Sequence, residues 1–261
     1  MTAARVIILA AQRPGVTDPL AADFGVSHKC LVPVAGRPLI AHVLETVSHH
    51  PAVRDVRISV EPTLFETLNG IAASLGGRCN IGCVASADNL ADSVIIASEG
   101  VAGPVVITTA DNALLTVDAI DSMIRALTGG ADVALGMTTR AAVLSAHPDG
   151  QRRFYHFADQ AYSNCNLYGL TVPNALPAAE IFRGGGQFAR KAQRIIDAFG
   201  LFNLLLLRLR LVSLKGGLAR ISRRIGLEIA PVILADGRNA IDVDNRRTHD
   251  VVSQLLARPA A

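Results

Sequence analysis

The chain has 261 residues, half of them hydrophobic and 18% charged, which excludes an intrinsically disordered protein, a collagen-like repeat and a disulfide-stapled miniature. Its net charge of +3 conceals an asymmetry, because residues 183–228 carry ten Lys and Arg against two acidic residues while the remainder holds 15 basic and 20 acidic. Such a block faces phosphates, a lipid surface or a partner subunit; nucleic acid fits poorly, because aromatic residues make up only 4% of the chain and no recognition motif occurs. The four cysteines include one close pair, Cys79 and Cys83, without a second pair at metal-ligand spacing, so a structural zinc is not expected. No run reaches the roughly twenty apolar residues of a membrane span. The opening apolar run, 6–11, is too short for a signal peptide and reads as a buried strand, making the cytoplasm the expected compartment.

In chain order, 5–10, 55–60, 80–84, 105–109 and 132–136 are short apolar runs bounded by turn residues, the pattern of strands buried on both faces. Between them, 38–49, 62–75, 89–99 and 117–127 have helical spacing, with Pro38 and Pro62 where a first turn accepts proline. This alternation predicts an α/β fold, a mostly parallel Rossmann-like sheet with helices on both faces. The loops after Ala10, Val84 and Thr109 should then converge on one cleft. Beyond residue 150 the pattern changes. Strands are expected at 153–157 and 166–172, then a basic amphipathic helical insertion over 187–225, strands at 228–234 and 239–243, and a last helix over 246–256. The whole chain, 1–261, is expected to form one domain.

Three segments carry candidate chemistry. The first strand ends in Leu9-Ala10-Ala11-Gln12-Arg13 and leads to His28-Lys29-Cys30-Leu31-Val32-Pro33-Val34-Ala35-Gly36-Arg37-Pro38-Leu39. A loop leaving a buried strand offers unpaired N–H groups to phosphate, and Arg13 and Lys29 add positive charge. Asp111, in Thr109-Ala110-Asp111-Asn112-Ala113-Leu114-Leu115, follows a buried strand; standing alone it would read sooner as a helix N-cap. Ile241-Asp242-Val243-Asp244-Asn245 places two aspartates at strand alternation, pointing the same way, unless it is an ordinary Asp/Asn-rich turn.

Together these resemble the GT-A-like, MobA-like nucleotidyltransferase superfamily, and within it the small-molecule cytidylyltransferases. That superfamily shows L-A-A-G-x-G and P-K-x-L-x-x-x-x-G-x-P-L, then D-x-P-L-L, then I-D-V-D-T-x-x-D-L. Lys29, Leu31, Gly36, Pro38 and Leu39 match in order, whereas Gln12 replaces the first loop glycine, Ala113 a proline and Asn245 a threonine. The resemblance implies a nucleotide-binding core (1–140 and 228–261) with an acceptor elaboration (141–227). It implies catalytic Lys29 and Arg13, and nucleotide contacts from Leu9, Ala10, Ala11, Gln12, Ser86, Asp92, Ser93 and Asp111. It further implies Mg²⁺ held by Asp111, Asp244 and Asp242. Ser93-Val94 at a helix start tilts the base toward CTP, although Asn89-x-x-Asp92-Ser93 is also ordinary capping.

The activity so implied is Mg²⁺-dependent transfer of a nucleoside monophosphate from an NTP to a phosphorylated small molecule (a polyol, sugar or small-acid phosphate), with release of pyrophosphate. The product could serve as an activated head group for lipid or envelope synthesis. Asn166 is a candidate acceptor-binding residue at a strand edge. The 187–225 stretch has three readings: internal packing with a solvated basic face, peripheral contact with the inner membrane face, or acceptor-phosphate binding. A homodimer is a further expectation. A GT-A glycosyltransferase using an NDP-sugar, or an inactive nucleotide or membrane-surface binder, are the alternatives.

Overall fold

The structure is a computed structural model; it describes residues 3–12, 15–182, 206 and 208–257, with 181 and 182 described by backbone alone. Arg13 and the first part of the basic stretch therefore lie outside the described residues. The strands are β1 (Ala4–Leu9), β2 (Pro33–Val34), β3 (Arg37–Pro38), β4 (Val53–Val60), β5 (Asn80–Ala85), β6 (Gly103–Thr109), β7 (Val133–Thr139), β8 (Tyr155–His156), β9 (Ala161–Val172) and β10 (Ile229–Leu234). The central sheet has the order β10-β7-β9-β6-β1-β4-β5, with β8 on β9, while β2 and β3 form a separate ribbon. Neighbours along that order are parallel, except that β9 runs antiparallel to both β6 and β7.

The helices are α1 (Pro19–Asp23), α2 (Leu39–Ser48), α3 (Phe65–Ser74), α4 (Leu90–Ala97), α5 (Val117–Thr128), α6 (Arg140–Ala146), α7 (Leu214–Ile225) and α8 (Arg246–Ala257). They cover both faces of the sheet, which is why β1 reads as an unbroken apolar run. Val6 and Ile8 point into the core with α2, α3 and α5. Ile7 points the other way, into a second core with α4 and α7. Each such side chain contributes about 1.5–3 kcal/mol of transfer free energy.

Local signals set the helix ends. Thr116 Oγ1 accepts from Ala119 N at the start of α5, and Ala119, Ile120, Met123, Ile124 and Leu127 form its buried stripe. Ser213 caps α7, whose buried stripe is Leu214, Leu218 and Ile221, and Gly226 at φ +72° ends it. Lys215, Arg223 and Arg224 face outward. Within 214–225 the basic stretch thus packs its apolar face inward. Among the described residues no helix is long and apolar enough to cross a membrane.

Two strand expectations are corrected. The span 153–157 yields only the two-residue β8. The span 239–243 is not a strand: a 3-10 turn, Gly237–Ala240, precedes an irregular stretch that bends where Asp244 N donates to Asp242 O (3.1 Å). At Gly237, where that turn begins, a Cβ would sit 2.2 Å from the backbone carbonyl of Ala142, so the turn packs directly on α6. Gly237→Ala should therefore cost about 3 kcal/mol, the upper end for overpacking, read as a lower urea midpoint at unchanged slope.

Candidate active site

The loops after β1 and β6 meet as the parallel topology requires. They border a cavity of about 370 Å³ lined by Leu9, Ala10, Ala11, Gln12, Lys29, Cys30, Leu90, Thr109, Ala110 and Asp111, with Val16, Asp18 and Pro19 closing one side. Leu90 opens α4, so the loop after β5 also reaches this cleft.

Lys29 enters on a 3-10 turn, Lys29–Leu31. Its Nζ lies 2.5 Å from Asp111 Oδ2 and 2.8 Å from Asp244 Oδ1. The other Asp111 oxygen accepts from Thr109 Oγ1 at 2.5 Å. Asp111 is thus not the cap of α5, a role filled by Thr116. Burial pulls the Lys29 pKa down, but the carboxylates of Asp111 and Asp244 outweigh it and hold the ammonium above the ordinary lysine range.

Asp244 is placed by the start of α8, where Thr248 Oγ1 accepts from Asp244 N (2.9 Å) and Asn245 N (3.1 Å) and Asn245 Oδ1 accepts from Thr248 N. Asn245, which stands where the resembled pattern has a threonine, caps the helix. The helix is docked onto the early chain: His249 Nε2 lies 2.9 Å from Pro33 O, His249 stacks on Phe24 at 4.6 Å, and the Arg246 guanidinium sits 5.0 Å over Phe24.

The strand alternation expected to align Asp242 and Asp244 is absent, and the two carboxylates differ in burial. The Asp244 side chain is 63% exposed at the rim, whereas Asp242 is buried. Asp242 Oδ2 accepts from Asn166 Nδ2 at 2.7 Å, and Oδ1 is buried without a hydrogen-bond partner. Burial, reinforced by Asp111 and Asp244, raises the Asp242 carboxyl well above the usual carboxylate range, against the opposing pull of Lys29 and Asn166. The Asn166 amide, expected to read an acceptor hydroxyl, is instead engaged with Asp242.

Gln12 does not leave its backbone amide open to phosphate; Gln12 N donates to Glu61 Oε1 at 2.9 Å, and its Nε2 donates to Ser27 O at 2.8 Å. Ser93 is buried and its hydroxyl accepts from Ala87 N at 2.9 Å. Asn89 Oδ1 accepts from Asp92 N, and Asn89 Nδ2 donates to Asp92 Oδ2. Ser93, Asp92 and Asn89 therefore shape the loop that carries Ser86, whose own N donates to Val60 O. Glu61, Leu90 and Asn112 were not singled out from the sequence, Asn112 because an asparagine beside an aspartate carries the signature of an ordinary turn.

Among the described residues, no three His, Cys, Asp or Glu side chains form a ready-made metal cage. The donors nevertheless suit Mg²⁺, which takes one or two protein carboxylates and completes its shell with phosphate and water. Asp111 lines the cleft and shares the Lys29 ammonium with the exposed Asp244, and close to both is the buried Asp242, one of whose oxygens is orphaned.

A mostly parallel sheet in which the loops after β1 and β6 and the turn before α8 bring one lysine together with aspartates has the α/β nucleotidyltransferase fold. Residues 6–172, more than half of the chain, match the MobA-like NTP transferase domain, and the protein belongs to that family. No curated protein matches it. A hypothetical transferase from Thermus thermophilus superposes with TM-score 0.73 at 22% identity, over 95% of this chain and 100% of that one. The 4-diphosphocytidyl-2C-methyl-D-erythritol synthase of Anaerococcus prevotii gives TM-score 0.62 at 10% identity, over 98% and 99% of the two chains. A CMP:2-keto-3-deoxy-manno-octonic acid synthetase complexed with CTP gives 0.62 at 14%, over the same shares. These likenesses show the fold.

Two stability effects follow from the charge cluster. Lys29→Ala leaves its carboxylates without their ammonium and should lower unfolding stability by about 2 kcal/mol at pH 7.5. Asp242 binds its proton more tightly folded than unfolded, so its contribution to stability is present at low pH and is lost as pH rises through the folded value. Asp242→Asn should therefore raise the thermal midpoint at pH 8, with the gain shrinking toward about pH 4, the ordinary carboxylate range.

Proposed function

We propose that the protein transfers CMP from CTP to a small phosphomonoester and releases pyrophosphate. The observation that carries this reading is the Lys29 ammonium between Asp111 and Asp244 at the edge of a cleft bordered by the loop after β1. An oxygen of the acceptor phosphate forms a bond to the α-phosphorus as the bond from that phosphorus to the α,β-bridging oxygen breaks, and the electron pair leaves with pyrophosphate. A phosphate dianion needs no general base, so the protein's task is placement and charge neutralisation. Lys29, on turning from its carboxylates when the triphosphate binds, donates to α-phosphate oxygens, where negative charge accumulates in the transition state. Arg13 is assigned the same task at the β- and γ-phosphates.

Asp111 and Asp244 would hold Mg²⁺, with Asp242 behind them; when bound, the ion supplies further charge neutralisation at the triphosphate. The loop of residues 86–90 and Leu90 flank the base, and Ser93 acts by keeping that loop in shape through its bond to Ala87 N. CTP is favoured by the Ser93-Val94 resemblance and by the cytidyl products or ligands named for two structural neighbours. A sugar transferase would leave Lys29 without a comparable task.

The test is pyrophosphate release from CTP, GTP, ATP and UTP with Mg²⁺ across a panel of polyol, sugar and small-acid phosphates. Turnover should be greatest with CTP. Lys29→Ala and Asp111→Asn should each lower kcat/KM by about 10²–10³-fold, the usual effect of removing a group that stabilises transition-state charge. Absence of turnover with every pair, by protein that still binds nucleotide, would overturn the reading.

A further inference from the structure

The buried carboxyl of Asp242 is approached by a ring of contacts that closes on itself. Asn112, next in the chain to Asp111, is fully buried. Its Nδ2 donates to Cys165 O at 3.2 Å and to Thr108 Oγ1 at 3.2 Å. Cys165 is followed by Asn166, whose Nδ2 donates to Asp242 Oδ2 at 2.7 Å. Asp242 is followed by Val243, whose N donates to Asp111 O at 3.2 Å. Three hydrogen bonds and three chain links thus join Asp111, Asn112, Cys165, Asn166, Asp242 and Val243 in a closed circuit.

The sheet is deformed to make it. Leu135 pairs with Tyr168 but Met137 pairs with Asn164, so β9 bulges between them. Gly136 admits the bulge, since a Cβ there would lie 2.9 Å from Leu167 O. Within the bulge Asn166 adopts φ +45°, a left-handed conformation uncommon for a non-glycine residue and rarer still inside a strand. Asn164 supports it, with Oδ1 accepting from Asn166 N at 3.1 Å. A central strand distorted in this way turns one amide onto one buried carboxyl.

We infer that Asn112 and Asn166 are positioning residues, which fix the Asp242 carboxyl behind Asp111 and Asp244 and so set the donor geometry met by a divalent cation. The inference rests on the reading of this cleft as a cation-assisted transferase site. The circuit acts through Asp242, and neither asparagine touches the cation.

Mn²⁺ binding, read directly from the electron paramagnetic resonance of free Mn²⁺ with no nucleotide or turnover involved, tests it. Asn166→Gly keeps the left-handed backbone accessible and deletes the side chain that carries the amide, so it should stay folded; the thermal midpoint checks this. Asn166→Gly and Asn112→Ala should each weaken Mn²⁺ binding about tenfold, as removing a group that orients a metal ligand does. The double variant should bind no more weakly than the worse single one, because both cut the same circuit. Folded Asn166→Gly protein with wild-type Mn²⁺ affinity would overturn the inference and leave the transfer reading to its own assay. Additive losses in the double variant would overturn the circuit. Wild-type protein that binds no Mn²⁺ would overturn the inference and the cation's part in the transfer, while pyrophosphate release remains a separate measurement.

Discussion

Three carboxyl groups lie close to one ammonium group that pairs with two of them, and charge balance constrains everything around them. Two like charges 4 Å apart at an effective dielectric of 20 repel by about 4 kcal/mol, so the full set cannot ionise together without compensation. Compensation comes from the Lys29 ammonium on Asp111 and Asp244, and from a proton favoured on Asp242 by burial. A bound cation or a phosphate would redistribute those roles, drawing Lys29 away from its carboxylates. The folded protein thus holds an arrangement that gains when ligands of the right charge arrive.

The sheet exists to bring those groups together. Asp111 leaves the end of β6, the first loop leaves the neighbouring β1, and β9 is threaded antiparallel on the far side of β6. Had β9 been parallel, its bulge would not face the 241–245 segment in the same way. Because β6 is held on both flanks by long strand pairings, Asp111 has a rigid base. Asp244, on a surface turn, depends on the capping bonds of α8 for its place.

Burial explains what could be read from the sequence. Strands β1, β4, β6 and β7, covered on both faces, gave apolar runs that end within a few residues of their observed limits. Strand β9 was only half foreseen, because Tyr162, Ser163 and Asn164 interrupt the apolar pattern; the Tyr162 hydroxyl donates to Asp159 and the Asn164 amide supports the bulge. The 239–243 segment has strand-like alternation but continues a 3-10 turn packed on α6 at Gly237, and a contact between segments about a hundred residues apart leaves no periodic trace. Lys29, Asp111 and Asp244 were legible as motifs and are gathered in space. Asn112 was not, since an asparagine after an aspartate reads as turn chemistry until its partner, the carbonyl of Cys165, is known.

The docking of α8 on Phe24 and Pro33 also bears on how the molecule comes into being. Lys29 and Asp111 are 82 positions apart, but Lys29 and Asp244 are separated by 215. Loop-closure entropy grows by about 0.6 kcal/mol with each doubling of length, and contacts of such separation come late in folding. During synthesis from the N-terminus, a chain that has already formed β1 and β6 and paired Lys29 with Asp111 still lacks Asp244 and α8. The half-built cleft on the ribosome carries the lysine with a single carboxylate. Its charge then differs from that of the finished protein, and it gains its full set of carboxylates only when the last helix docks.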